Sequence, residues 1–158
     1  MKNTRFIVES AVIAALYTAL TLAFQPLSYG AEGLIQVRIS EALTILPYFT
    51  PAAVPGLFIG CVIANLFSPV GVIDVVVGSL ATLIAAYLSY RVPNRLMVPM
   101  PPVVVNGLII GAMLHYVYNV PLLLSILAVT AGQLAACYIL GFPLLLVLER
   151  YRNQIFRR

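Results

Sequence analysis

Glu41 and Asp74 are carboxylates in a sequence that carries little charge, and Arg38 stands three residues before the first of them. The other polar groups inside or at the edges of the apolar segments are Asn65, Asn106, His115 and Gln133, with Glu32 in the loop before Arg38. A carboxylate in lipid hydrocarbon is costly, so it normally faces a cavity, a partner or a substrate. Carboxylates, amides and one arginine together suit a ligand with both donors and acceptors, such as a purine-like base. A guanine-type edge presents adjacent N–H donors, and Glu41 is expected to accept two of them. The carbonyl of such a base needs a donor, which Asn106, Gln133 or Arg38 supplies. An amine-bearing substituent would use the second carboxylate, Asp74. One histidine and two separated cysteines, Cys61 and Cys137, do not make a zinc site, so neither metal nor cofactor is expected.

Each of these residues also has a structural alternative. Glu41 at a helix start is favoured by the helix dipole, and Arg38 at i, i+3 is a ready partner. Asp74 near another helix start suits a cap. His115, beside Tyr116 and Tyr118, fits the membrane edge. Asn106 and Gln133 could bond helices together, an interaction of about 0.6 kcal/mol on average. Asn65 reads as structural.

The elements that carry these residues are membrane helices. The chain of 158 residues is 62% hydrophobic and 9% charged, with mean hydropathy +1.03. Apolar runs of roughly 17 or more residues recur, and alternating strands of about ten residues are absent. The expected fold is an all-α integral membrane bundle of six transmembrane helices. The whole chain, 1–158, is expected to form one membrane-embedded substrate-binding domain, with no room for a separate soluble catalytic domain. Cys61 and Cys137 both lie in apolar runs and read as small core residues. With no Trp, the nine Tyr supply most interfacial anchoring.

The first helix is expected over about 5–25, stopping before Pro26. Its apolar stretch, Phe6 to Phe24, exceeds the roughly 7–15 residues of a signal-peptide core and reads as a retained helix. Pro26, Gly30 and Gly33 break the loop 26–37. A short helix over about 39–49 and a third from Pro51 and Pro55 to Ser68-Pro69 follow. The fourth runs from about Val72 to Tyr90 and the fifth over 102–118. The sixth runs from Pro121 to about Tyr151, roughly 45 Å. With six spans, both termini and the 91–102 loop are cytoplasmic. That arrangement puts Lys2, Arg5, Arg91, Arg95, Arg150, Arg152, Arg157 and Arg158 inside and Arg38 alone outside, as basic flanks require. The net charge of +4 therefore reflects membrane flanks, and nucleic-acid binding is excluded as its explanation. Glu41, Asn65, Asp74 and His115 then lie toward outer helix ends. Asn106 is near mid-span and Gln133 about 18 Å down its helix. The set predicts an outward-facing polar pocket capped by the loop 26–38.

Ala11, Ala15 and Ala19 form a flat face on the first helix, widened by Ser10, Ala14 and Thr18. Small faces allow close helix approach. Gly56, Gly60 and Ala64, and Gly107-x-x-x-Gly111, read as internal packing. Six helices, an Ala-x-x-x-Ala first helix and the outer loop resemble the substrate-binding S component of an energy-coupling factor (ECF) transporter. Val37-Arg38-Ile39-Ser40-Glu41-Ala42-Leu43, Pro55-Gly56-Leu57, Gly60-Cys61, Ala64-Asn65 and Gly78-Ser79-Leu80-Ala81-Thr82-Leu83 resemble the QueT family. The likeness covers nearly the whole chain and is strongest over 35–85. It implies uptake of a queuosine precursor, a 7-deazaguanine such as the aminomethyl form. It also implies a partner module of one transmembrane coupling protein and two cytoplasmic ATPases. Ala11, Ala15 and Ala19 would meet the coupling protein, and the loaded subunit would topple to release substrate inside. The chain lacks G-x-x-x-x-G-K-[ST] and would not hydrolyse ATP itself.

Three other functions compete with this reading. They are an S component for another small nutrient or vitamin, an intramembrane enzyme using Glu41, Asp74 and His115, and a structural subunit without a ligand. The enzyme needs an acid/base pair within about 3 Å of a reacting atom.

Overall fold

The computed structural model describes residues 2–28 and 37–155. Glu32 and most of the loop expected at 26–37 lie outside the described residues. Every regular element among the described residues is helical. Helix α1 (Lys2–Ala23) contains neither glycine nor proline, which explains its uninterrupted 22 residues. Pro26 does not end helical structure there; it sits in the first turn of the short α2 (Gln25–Ser28), where its missing N–H costs little.

The segment expected as a short helix over 39–49 is instead a 3-10 helix, Ile39–Tyr48, with Pro47 inside it. Its 10 residues reach only about 20 Å at 2.0 Å per residue, short of the roughly 30 Å hydrocarbon core. Ser40 through Pro47 are all buried. The segment is therefore enclosed by the bundle rather than presented to lipid.

Helix α3 (Ala53–Asn65) ends three residues before the expected Ser68. Turns follow, with Pro69 unable to donate and Gly71 at φ +76. A π turn, Asp74–Gly78, leads into α4 (Ser79–Arg91). Asn94 caps the 3-10 turn Arg95–Met97 by accepting from Leu96 N at 3.1 Å. Helix α5 (Met100–Tyr118) takes two prolines into its first turns and so starts earlier than expected. It ends at Asn119, whose left-handed backbone (φ 54) suits asparagine. The last long helix is not one regular α-helix. It is α6 (Leu122–Leu134), a π stretch Ala135–Gly141, and α7 (Phe142–Arg150), followed by α8 (Arg152–Ile155). Pro143 cannot donate to the preceding turn, and the widened π register accommodates that loss.

Asn3–Ala23, Arg95–Tyr118 and Leu122–Arg150 are each long and apolar enough to cross a membrane. Their outer surfaces are apolar: Ile7, Leu123, Leu127 and Ile139 are all more than half exposed. Helix α1 packs on α3, α3 on α4, α4 on α5 and α5 on α6, and the 3-10 segment lies against the π stretch Ala135–Gly141 and α4. Ser10 O lies 2.8 Å, and Ala14 O also 2.8 Å, from where side chains at Gly56 and Gly60 would begin. One apolar core gathers Tyr17, Ile45, Leu46, Leu57 and Leu145; a second gathers Ile110, Met113, Leu114 and Val129.

Candidate functional site

The polar side chains that the lipid-facing surface lacks are collected inside. Glu41 and Asp74 are each 1% exposed, Asn106 2%, and Arg38 and Gln133 6%. Tyr17 and Asn65 are fully buried with them. Burial of so many polar groups in an apolar bundle is stable only where they satisfy one another.

They form two linked sets of bonds. Arg38, at the start of the 3-10 segment, pairs through Nη2 with Asp74 Oδ2 at 2.9 Å. Its Nη1 donates to Asn65 Oδ1 at 3.1 Å, and its Nε to Ser28 O at 3.3 Å. Ser68 Oγ donates to the same Asp74 oxygen at 2.6 Å, and Asn65 Nδ2 to Asp74 O at 2.9 Å. In the second set, Tyr17 Oη donates to Glu41 Oε1 at 2.5 Å and Asn106 Nδ2 to Glu41 Oε2 at 3.3 Å. Thus the ion pair of Arg38 is with Asp74, not with Glu41 at i, i+3. Asp74 is not a cap either: its side chain turns to Arg38 and Ser68.

A narrow cleft lies among Arg38, Gly78, Thr82, Asn106, Ile110, Val129 and Gln133. Its void is about 10 Å³, room for about one water molecule. Glu41 and Asp74 stand behind this wall, each bonded to a wall residue. Gln133 Oε1 lies 3.5 Å from Cys137 Sγ, with the amide nitrogen as its remaining donor end. Asn106 Oδ1, Asp74 Oδ1 and Ser79 Oγ are buried with no partner among the described residues. Gly78 is required here, because a side chain would collide with Asp74 Oδ1.

The structure thus brings together five of the six residues expected at the ligand: Arg38, Glu41, Asp74, Asn106 and Gln133. His115 is apart from them. It is exposed at the end of α5, with Nδ1 on Val120 O. Tyr17, Thr82, Ser68 and the two thiols were not among the expected site residues. Tyr17 had a signal: Ser10, Ala14, Tyr17 and Thr21 recur at helical spacing and form the buried side of α1. Ala11, Ala15 and Ala19 lie on the other side and are exposed. The small residues of α1 therefore form two faces rather than one wide face. Ser10 and Ala14 pack inward against α3, while the alanine stripe faces out.

The sequence profile of the QueT transporter family matches residues 7–150. The chain belongs to this family. The queuosine precursor transporter QueT of Lactococcus lactis subsp. cremoris (strain MG1363) is 41% identical over 95 residues, 59% of this chain and 54% of that relative. The match thus spans about half the length of the curated relative. No solved structure matches the chain. The family is described as one of transporters, not of enzymes.

Proposed function

We propose that this QueT-family chain is the substrate-binding membrane subunit of an ATP-driven ECF importer, and that its ligand is a 7-deazaguanine precursor of queuosine, such as 7-aminomethyl-7-deazaguanine. The observation that carries this reading is the wall of the buried cleft. It offers the unpartnered acceptor Asn106 Oδ1, the amide of Gln133, the positive charge of Arg38, and apolar side chains of Ile110 and Val129. A flat base with a polar edge and apolar faces matches that combination. Arg38, Asn106 and Gln133 would touch the ligand. Glu41 and Asp74 would hold Asn106 and Arg38 in place. A bicyclic base is larger than the present void, so binding would part the walls around the π turn Asp74–Gly78 and the π stretch Ala135–Gly141.

The exposed alanine stripe supports a partner reading. Ala11, Ala15 and Ala19 would let a helix of the transmembrane coupling protein approach closely, with two cytoplasmic ATPases completing the importer. Both termini cytoplasmic would agree with the basic flanks, with the short buried 3-10 segment crossing inside the bundle as one of six spans.

The test is a titration of the purified full chain with 7-aminomethyl-7-deazaguanine, together with mass spectrometry of whatever co-purifies. Saturable binding is expected, with stabilisation of about 2.7 kcal/mol at a hundredfold excess over Kd. No binding, or a vitamin as the co-purifying molecule, would remove the deazaguanine reading.

A further inference from the structure

We propose that Asn106 reads an N–H donor of the ligand's base, and that Glu41 and Tyr17 are positioning residues that fix which end of the Asn106 amide faces the cleft. The assignment rests on the reading of the cleft as a base-binding site.

An asparagine amide has one accepting and one donating end. Glu41 accepts at both oxygens, and the end of Asn106 turned to it is Nδ2, at 3.3 Å. The opposite amide orientation would set oxygen against oxygen. Tyr17 Oη occupies the other carboxylate oxygen, Oε1, at 2.5 Å and so leaves Oε2 for Asn106. The free end of the amide is therefore an acceptor. Oδ1 is buried and has no donor among the described residues. Native structures keep few such atoms, and each calls for an explanation. Here Asn106 lines the cleft, so a ligand N–H supplies the missing donor.

Gln133 is also in the wall. Its Oε1 is turned to Cys137 Sγ at 3.5 Å, and in this orientation the amide nitrogen is the end left to donate. The two amides together offer one acceptor and one donor. That pair complements a lactam edge, in which a ring N–H adjoins a carbonyl. Ile110 and Val129 supply apolar walls for the ring. The recognised class is thus a lactam-bearing heterocycle, and selectivity depends on amide orientation as well as amide presence.

The experiment uses purified full chain and three ligands: 7-aminomethyl-7-deazaguanine, its N1-methyl analogue, and the analogue lacking the 2-amino group. The wild-type protein should bind the parent ligand more tightly than at least one analogue by about tenfold, equivalent to about 1.4 kcal/mol. Asn106→Leu should weaken the parent by a similar factor and abolish that discrimination. Glu41→Gln presents an amide that pairs with Asn106 in either orientation, so discrimination should fall while the thermal melt is kept. Tyr17→Phe should reduce discrimination in the same direction, because Glu41 loses its second donor. If Asn106→Leu does not fold, the Glu41 and Tyr17 variants decide. Unchanged discrimination in Asn106→Leu, or in both of the others, overturns the assignment. So does a Glu41→Gln protein that binds weakly but discriminates fully, since Glu41 would then touch the ligand itself. Failure of the wild type to bind the parent removes the deazaguanine reading and this assignment with it.

Discussion

Asp74 and Arg38 make a buried ion pair at 2.9 Å, with side chains 1% and 7% exposed. Taking both charges out of water is expensive, so the pair contributes little net stability, but removing one partner strands the other. Asp74→Asn should therefore destabilise the protein by about 3–5 kcal/mol. The double variant Asp74→Leu with Arg38→Met should recover a large part of that loss. Thermal melts of the purified variants measure both effects; a single variant that melts like the parent, or a double that melts no better than the single, removes the pairing argument. The carboxylates were legible in the sequence because charge is scarce and costly in an apolar chain. Their partners were not. Arg38 and Glu41 at i, i+3 suggested a local pair, yet Arg38 reaches 36 residues ahead to Asp74, and Glu41 reaches 24 back to Tyr17. Such pairings depend on which helices meet. Tyr17 itself was obscured because a tyrosine in a membrane protein reads first as an interfacial anchor.

The two faces of α1 put opposite demands on substitution. At Gly60 a side chain would begin 2.8 Å from Ala14 O and 2.9 Å from Tyr17 Cβ. The first of these is backbone and cannot swing aside, so Gly60→Ala must push α1 away from α3. A loss of about 1–3 kcal/mol is expected, together with displacement of Tyr17 from Glu41. Ala15 is exposed on the opposite side. Ala15→Leu should leave stability within about 0.5 kcal/mol and leave ligand binding intact, yet block uptake by cells that carry the coupling protein. Melting and uptake separate the cases: a stable Gly60→Ala protein refutes the close packing, and normal uptake by Ala15→Leu moves the coupling face elsewhere. The long helices and their proline-marked starts were legible because composition alone excludes other folds. The 3-10 and π geometry was not, since it arises where Pro47 and Pro143 remove donors and where Gly141 lets Ala42 O approach to 3.2 Å of a would-be side chain. Whether a small stripe faces a neighbour or the exterior was equally hidden, because Ala11 and Ala14 are alike until α3 is in place.

At the scale of the molecule, one end gathers several separate stretches of chain. A groove there is lined by Val8, Glu9, Leu46, Thr50, Leu148 and Ile155 among others, so the start of α1 lies near the end of α7 and α8. Thr50 Oγ1 donates to Glu9 Oε2 at 2.9 Å, and Arg95 Nη1 pairs with Glu149 Oε2 at 2.9 Å. The N-terminal region, the segment between α4 and α5, and the C-terminal region therefore share one end. If that end lies on one side of the bilayer, an even number of crossings is expected between α1 and α8. Lys2, Arg5, Arg91, Arg95, Arg150 and Arg152 cluster in these stretches, and basic flanks mark the cytoplasmic side. Exposed cysteines report the orientation directly, because the native Cys61 and Cys137 are fully buried and add no background. Tyr118→Cys, at the exposed end of α5, should react with a membrane-impermeant maleimide in intact cells. Asn94→Cys, exposed in the segment between α4 and α5, should react only after the membrane is permeabilised. Labelling of Asn94→Cys from outside inverts the topology and removes the outward-facing reading of the candidate cleft. Labelling of both positions from outside is incompatible with α5 as a membrane crossing.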